Sequence, residues 1–400
     1  MANIRPFQPY RYSEAAGPLD RLVTQPYDKI SPQMQARYLA LSPYNLVRVI
    51  LGERFAADDD TDNVYTRASG YLNDWIRDGI LVQEREPSFY AYLQEFSLPG
   101  SDGRDDKFVR KGLIGLGAVQ PYSDKVVHRH EQTLSGPKKD RTELLKHTRA
   151  HFGQIFMLYP DPDLAVDAVL DEAASGEPLA VLDDEYGATH RVWKISDPAR
   201  IGKIQQLMAD KKLLIADGHH RYETALASGD PYVMMTFVNM YSPGLKVLAT
   251  HRVVAGLEAA DFRFENTRGL ALLDELKQIF STPAPGKVRI GIALPGDLRL
   301  YERDRKPGEL DVLILHEELL GGALGIGEAA VRDEKFLRYV RGLDAAYDKV
   351  ASGEAQIAFL LEPASVQQVA DVAFAGGVMP QKSTDFFPKL LSGLAIYKIE

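Results

Sequence analysis

The chain has 400 residues, 45% hydrophobic and 26% charged, which excludes a fibrous repeat and wholesale disorder. Its 47 basic and 56 acidic residues give a net charge of −9, which argues against a whole-protein nucleic-acid binder. With no cysteine, disulfides, thiolate nucleophiles and Cys-ligated zinc or iron–sulfur centres are excluded. The opening MANIRPFQPYRYSEAAGP lacks an apolar signal core, and no run approaches the ~20 apolar residues of a membrane span. A cytoplasmic protein with small-molecule ligands, and with no nucleic-acid or membrane partner, is expected.

Ser31 before Pro32 predicts a capped helix to about Leu41. SPYNLVRVIL reads as a turn into a strand. Val64, Ala68, Leu72, Trp75 and Ile76 at helical spacing predict a helix from about Asn63 to Asp78. SFYAYLQEF and FVRKGLIGLGAVQ read as two strands joined by the polar loop LPGSDGRDDK. Gly112, Gly115 and Gly117 lie inside the second strand with no helix behind them, so they mark a bulge or close packing rather than a dinucleotide fingerprint.

The middle of the chain alternates. GATHRVWKI is a strand, a helix follows Asp197-Pro198, and KKLLIADGHHRYETALASGDPYVMMTFVNM reads strand, turn, helix, strand. Farther on, helices are expected near Thr267–Ile279, Asp311–Leu320 and Glu334–Val350. A hairpin is expected at KVRIGIALPGDLRLYER and a strand at QIAFLLE. This order predicts an α/β fold, with α+β as the alternative. Three segments are expected: 1–124, 125–260 and 261–400.

There is no P-loop, H-E-x-x-H, G-x-S-x-G or EF-hand pattern. The sharpest feature is LLIADGHHRYETAL, where an apolar strand runs into Asp217-Gly218 and a helix starts at once. Free backbone N–H groups and the positive end of the helix dipole then face one point. Gly218 permits close approach of a ligand, and Arg221 offers a fork suited to phosphate. Adjacent helical residues point about 100° apart at ~3.6 residues per turn, so His219 and His220 face different ways. The plainer alternative is that Asp217 only caps the helix.

A second constellation is His128-Arg129-His130-Glu131-Gln132-Thr133, followed by a helix beginning near Pro137. Glu131 is a candidate general base or metal ligand, and Lys138, Lys139 and Arg141 are candidate phosphate contacts. A basic first turn opposes the helix dipole, which fits a bound anion. In the tail, Lys382, Ser383 and Thr384 offer a cation and two hydroxyls in three residues. Asn45, Arg48, His251 and Arg252 are weaker substrate-binding candidates. His316-Glu317 and the pair His147 and His151 read as packing groups.

Together IADGHHRYETAL, HEQTLSGPKKDR, THRVV and MPQKSTDFFPKLLSGL, with PYDKISP and SPYNLVRVI, resemble the bacterial and archaeal domain-of-unknown-function family ten-fifteen. An HE dipeptide followed by Asp-Gly-His-His-Arg at a helix start is also similar to the ParB/sulfiredoxin superfamily, which includes free-serine kinases. That resemblance implies a ParB/sulfiredoxin-like central domain and phosphorylation of free L-serine to O-phosphoserine. It makes Glu131 the base, with His130 beside it. Asp217, Gly218, His219, His220 and Arg221 become the phosphate and Mg²⁺ region, with Asp217 as metal ligand. The donor is pyrophosphate, ADP or ATP. A phosphomonoester phosphatase and a non-catalytic phosphate or nucleotide sensor are the alternative readings.

Overall fold

The two strands expected after residue 88 form a long antiparallel hairpin, Phe89–Pro99 with Asp105–Ala118. A computed structural model describes residues 2–100, 104–131, 135–258 and 262–399, so the middle of the hairpin loop, 101–103, lies outside the described residues. The hairpin belongs to a nine-stranded mixed sheet. Its order is Val127–His128, Leu213–Asp217, Ile155–Tyr159, Tyr232–Asn239, Asp105–Ala118, Phe89–Pro99, Thr189–Ile195 and Ala180–Asp183, with Ile4–Arg5 beside Asp105–Ala118. Leu213–Asp217 runs antiparallel to Ile155–Tyr159 and parallel to Val127–His128. Leu213–Asp217 and Ile155–Tyr159 bury nearly every residue, in keeping with short apolar runs such as LLIA.

The chain divides into two compact units, Met1–Arg129, Thr133–Leu245 and Pro388–Glu400 in one, His130–Gln132 and Lys246–Phe387 in the other. This differs from the three consecutive segments expected. The cause is strand pairing: Asp105–Ala118 from the first segment pairs with Tyr232–Asn239 from the second, so those segments share one sheet. Thr250–Val254, expected in the central segment, pairs instead with Leu337–Arg341 and Ile357–Leu361. The second unit is built on that six-stranded sheet, ordered Thr267–Leu270, Asp297–Asp304, Lys287–Leu294, Ile357–Leu361, Thr250–Val254 and Leu337–Arg341. The fold class is mixed α/β, and among the described residues no helix is long and apolar enough to cross a membrane.

Helix starts follow local chemistry closely. Ser31 accepts from Met34 N–H to open Pro32–Leu41, and Asp197 accepts from Ala199 and Arg200 to open Pro198–Met208. Asn63 and Thr66 form a reciprocal capping box ahead of Val64–Arg77. Four elements differ from the sequence expectation. NLVRVI contains a short helix, Val47–Ile50, because Asn45 Oδ1 accepts from Val47 N–H at 2.9 Å and turns the chain. Thr267–Leu270 and Leu337–Arg341 are strands ahead of their helices, Leu273–Ser281 and Leu343–Ala351, because each adds an edge to the second sheet. The helix expected at Asp311–Leu320 is α-helical only to Ile314 and continues as a π-helical stretch, Leu315–Ala323.

The strand glycines are close-packing positions. A Cβ at Gly112 would lie 2.7 Å from Thr236 Cγ2, and one at Gly115 would lie 2.6 Å from the Phe89 ring. Phe89 is fully buried and cannot swing away. Gly115→Ala is therefore expected to cost ~1–3 kcal/mol through overpacking. Urea unfolding should show a lower midpoint at unchanged slope. An unshifted midpoint would mean the ring yields.

Candidate functional site

The strand Leu213–Asp217 ends at Gly218, whose φ of +96° lies in the left-handed region. The helix His219–Ser228 begins at the next residue. Glycine is required for a second reason: a Cβ there would stand 2.9 Å from Arg221 Nη2. The guanidinium folds back over the turn. Its Nη2 donates to Asp217 Oδ2 at 2.9 Å and its Nη1 to the Gln154 carbonyl at 2.6 Å. Lys389 Nζ donates to Asp217 Oδ1 at 3.1 Å. His219 is buried and His220 half-buried, as side chains pointing about 100° apart would be.

Burial alone would raise the Asp217 pKa, but Lys389, Arg221 and Lys29 together hold it well below the usual carboxylate range. A fourth cation acts on the same carboxylate. Arg110 is 1% exposed and donates to Gln94 Oε1 and the Pro388 carbonyl. Burial lowers its pKa to about 9, while Tyr92 and Asp217 pull it upward, so it stays charged at neutral pH. The turn is thus a positively charged spot in an acidic chain, and its field favours anions.

Lys389, Arg110 and Lys29 are absent from the sequence candidates. The signal for Lys389 is a lone cation inside the apolar run FFPKLLSGL. Lys29 lies within the PYDKISP motif, and for Arg110 no local signal exists.

The candidates in the second unit gather around another loop. His130 is fully buried, and its Nε2 lies 2.9 Å from Thr384 Oγ1. Glu131 bridges to Met379, and its Oε1 accepts from Lys382 N–H at 3.2 Å. Lys382 has a φ of +56°, a strained value for a lysine. Arg252 Nη2 donates to the Lys382 carbonyl at 3.2 Å, and Ser383 Oγ donates to the Pro380 carbonyl at 2.5 Å. Burial brings Arg252 down to about 10. Among the sequence candidates His130, Glu131, Arg252, Lys382, Ser383 and Thr384 are therefore neighbours. Gln132 and Thr133 of the same motif lie outside the described residues.

Other candidates have different work. Asn45 is buried and spends its side chain on the Arg21 carbonyl and Val47 N–H, so it shapes a turn rather than meeting a substrate. Arg48 donates to the Leu39 carbonyl. His251 Nδ1 accepts from Leu361 N–H at 3.1 Å, and burial then Arg252 lower it to about 4, so it serves its sheet as a neutral ring. Lys138 pairs with Glu223 at 3.6 Å, and Lys139 is exposed. Arg141 is buried and bonded to Asp140 and the Ile50 carbonyl. His147 stacks on Tyr65 and His151 on Tyr397. Among the described residues no three His, Asp or Glu side chains cluster as metal ligands. Both Asp217 oxygens are already held by cations, so the protein's own donors do not make a magnesium cage.

The Asp217 pair has a pH signature. A carboxyl depressed in the folded state stabilises above its unfolded pKa, and that stability is lost as pH falls toward the folded value. The urea-midpoint difference between wild type and Asp217→Asn should be constant above pH 5 and shrink below about pH 4. Lys389→Met should lower stability at pH 7 by ~3 kcal/mol, as removal of one member of a buried pair does. A difference independent of pH down to 3 would remove the ion-pair assignment.

Comparison with known proteins gives a family and distant structural likenesses. No curated protein matches the chain in sequence. A conserved hypothetical protein from Pyrococcus furiosus is 13% identical, with 67% of this chain and 91% of that chain covered at a TM-score of 0.37. A free serine kinase in complex with AMP is 13% identical over 69% of this chain and 89% of its own, at 0.40. A C-terminally truncated SbnI from Staphylococcus aureus is 14% identical over 70% and 87%, at 0.37. The family model described as "Protein of unknown function (DUF1015)" matches residues 4–313, and the chain belongs to that family.

Proposed function

We propose that this chain is a phosphotransferase that moves a phosphoryl group from pyrophosphate or a nucleotide to the hydroxyl of free L-serine. The observation that carries the reading is the convergence of cations at the Asp217–Arg221 turn. Lys389, Arg221, Lys29 and Arg110 act on one carboxylate at the N-terminal end of a helix. Phosphoryl transfer asks for positioning and charge neutralisation more than covalent chemistry. Backbone amides and fixed cations supply both without reorganising during the reaction.

In this reading Arg221, Lys389 and the first amides of the helix receive the donor phosphates. Glu131 takes the proton from the acceptor hydroxyl as the new O–P bond forms and the donor P–O bond breaks. Its carboxylate also accepts from Lys382 N–H, which fixes its orientation. Serine as the acceptor rests on the likeness of the His130-Glu131 and Asp217–Arg221 motifs to those of free-serine kinases. Magnesium belongs to this reading only as the counter-ion of the donor phosphates.

Incubation of the full chain with L-serine and pyrophosphate, ADP or ATP in turn should yield O-phosphoserine with one donor. Glu131→Gln should cut that rate at least ~100-fold, the usual scale of general-base catalysis, with circular dichroism and melting temperature retained. A variant with full turnover would remove the base role. Failure of every donor in the wild-type chain would remove the reaction.

A further inference from the structure

Arg221 also lines a cavity of about 60 Å³ within the first unit, together with Arg141, His151, Gly153, Thr224 and Ser392. The remaining lining is mainly apolar, from residues such as Ile50, Leu144 and Phe152, and contains no acidic side chain. Two guanidinium groups therefore face a small space with no carboxylate in its wall. The hydrogen bonds of Arg141 run through Nε and Nη2, to Asp140 and the Ile50 carbonyl. Those of Arg221 run through Nη1 and Nη2. Each guanidinium keeps further N–H donors unused among the described residues.

The hydroxyl of Thr224 is buried and makes no hydrogen bond, which is costly for a polar group unless a partner arrives. Thr224 follows Arg221 by three residues on the helix His219–Ser228, so both leave the same face. His151 Nε2 is also without a hydrogen bond, and Asp230 Oδ2 lies 3.9 Å from it. Burial, with Arg149 and Arg221, lowers the ring to about 4, so it is neutral at physiological pH.

Size and charge narrow the ligand. At ~30 Å³ for each water, the space is about two waters in size. It excludes a nucleotide and restricts the ligand to a compact ion. A zwitterionic amino acid would bring an ammonium group with no acidic partner in the wall. We propose that this cavity is a binding site for inorganic phosphate, held between Arg141 and Arg221 with the Thr224 hydroxyl as a further donor. The site shares Arg221 with the proposed donor site but requires no turnover. Because Arg221 also holds Asp217, a phosphate bound here competes for the guanidinium that fixes the Asp217 turn.

The test is isothermal titration of sodium phosphate into the full chain at constant ionic strength. Wild type should show one saturable event. Thr224→Val, which keeps the shape and removes the hydroxyl, should weaken it at least tenfold. So should Gly153→Ala, because a Cβ there would stand 3.0 Å from both Arg221 Nη1 and Ser392 Oγ. Glu131→Gln should bind as wild type does, whatever its turnover. Melting curves establish that each variant folds, and phosphate-soaked crystals should show density between Arg141 and Arg221. Absence of a saturable event overturns the proposal. So does binding that survives Thr224→Val and Gly153→Ala but is lost in Lys389→Met, which would put phosphate at the Asp217 turn instead.

Discussion

The first unit depends on how the carboxylate of Asp217 is compensated at the end of its strand. A half-buried carboxylate is costly unless cations reach it, and here two do, one on each oxygen. Arg221 comes from the next helical turn. Lys389 comes from a segment 172 residues away, so the segment that carries it has to be placed accurately. Gln94 Nε2 donates to the Lys389 carbonyl at 2.9 Å, Arg110 donates to the Pro388 carbonyl, and Gln154 Nε2 donates to the Leu391 carbonyl at 3.3 Å. Thr24 and Ser392 exchange backbone bonds on the other side. The long hairpin is thereby also the clamp on the C-terminal segment, and fold and site share one set of contacts.

The second unit organises its own loop in a comparable way. Residues 379–384 are held through main-chain groups: Met379 N–H by the His130 carbonyl, Lys382 N–H by Glu131, the Lys382 carbonyl by Arg252. The left-handed backbone at Lys382 persists because these bonds fix it from both sides. Glu131 is therefore a carboxylate held to its loop by a main-chain hydrogen bond.

Features encoded within a few residues were legible in the sequence. Ser31, Asn63 and Asp197 announce their helices because a cap is a contact between near neighbours. The Asp217-Gly218 turn is legible for the same reason, since an apolar strand must stop where an aspartate and a left-handed glycine begin. Thr267–Leu270 and Leu337–Arg341 read as helix in the sequence because an edge strand is defined by its partner, which lies elsewhere in the chain. Asn45 has the residue type of a substrate contact, and only the structure shows that its amide is spent on Arg21 and Val47. Lys389 could have been singled out as one cation in an apolar run, but nothing local says which carboxylate it meets.

Arg110 takes this reasoning further. A guanidinium buried to 1% exposure normally needs a carboxylate, yet its hydrogen bonds end on an amide oxygen and a peptide carbonyl. The Phe156 ring, 4.6 Å from its carbon, offers only a weak counter-field. Asp217 is the carboxylate whose charge it feels, and that charge is already divided among Arg221, Lys389 and Lys29. Several cations thus converge on one carboxylate beside the turn, inside a chain whose net charge is −9. Loss of the Asp217 charge would therefore leave Arg110 without the one carboxylate that offsets its burial, so the cost of removing Asp217 extends beyond its two direct ion pairs.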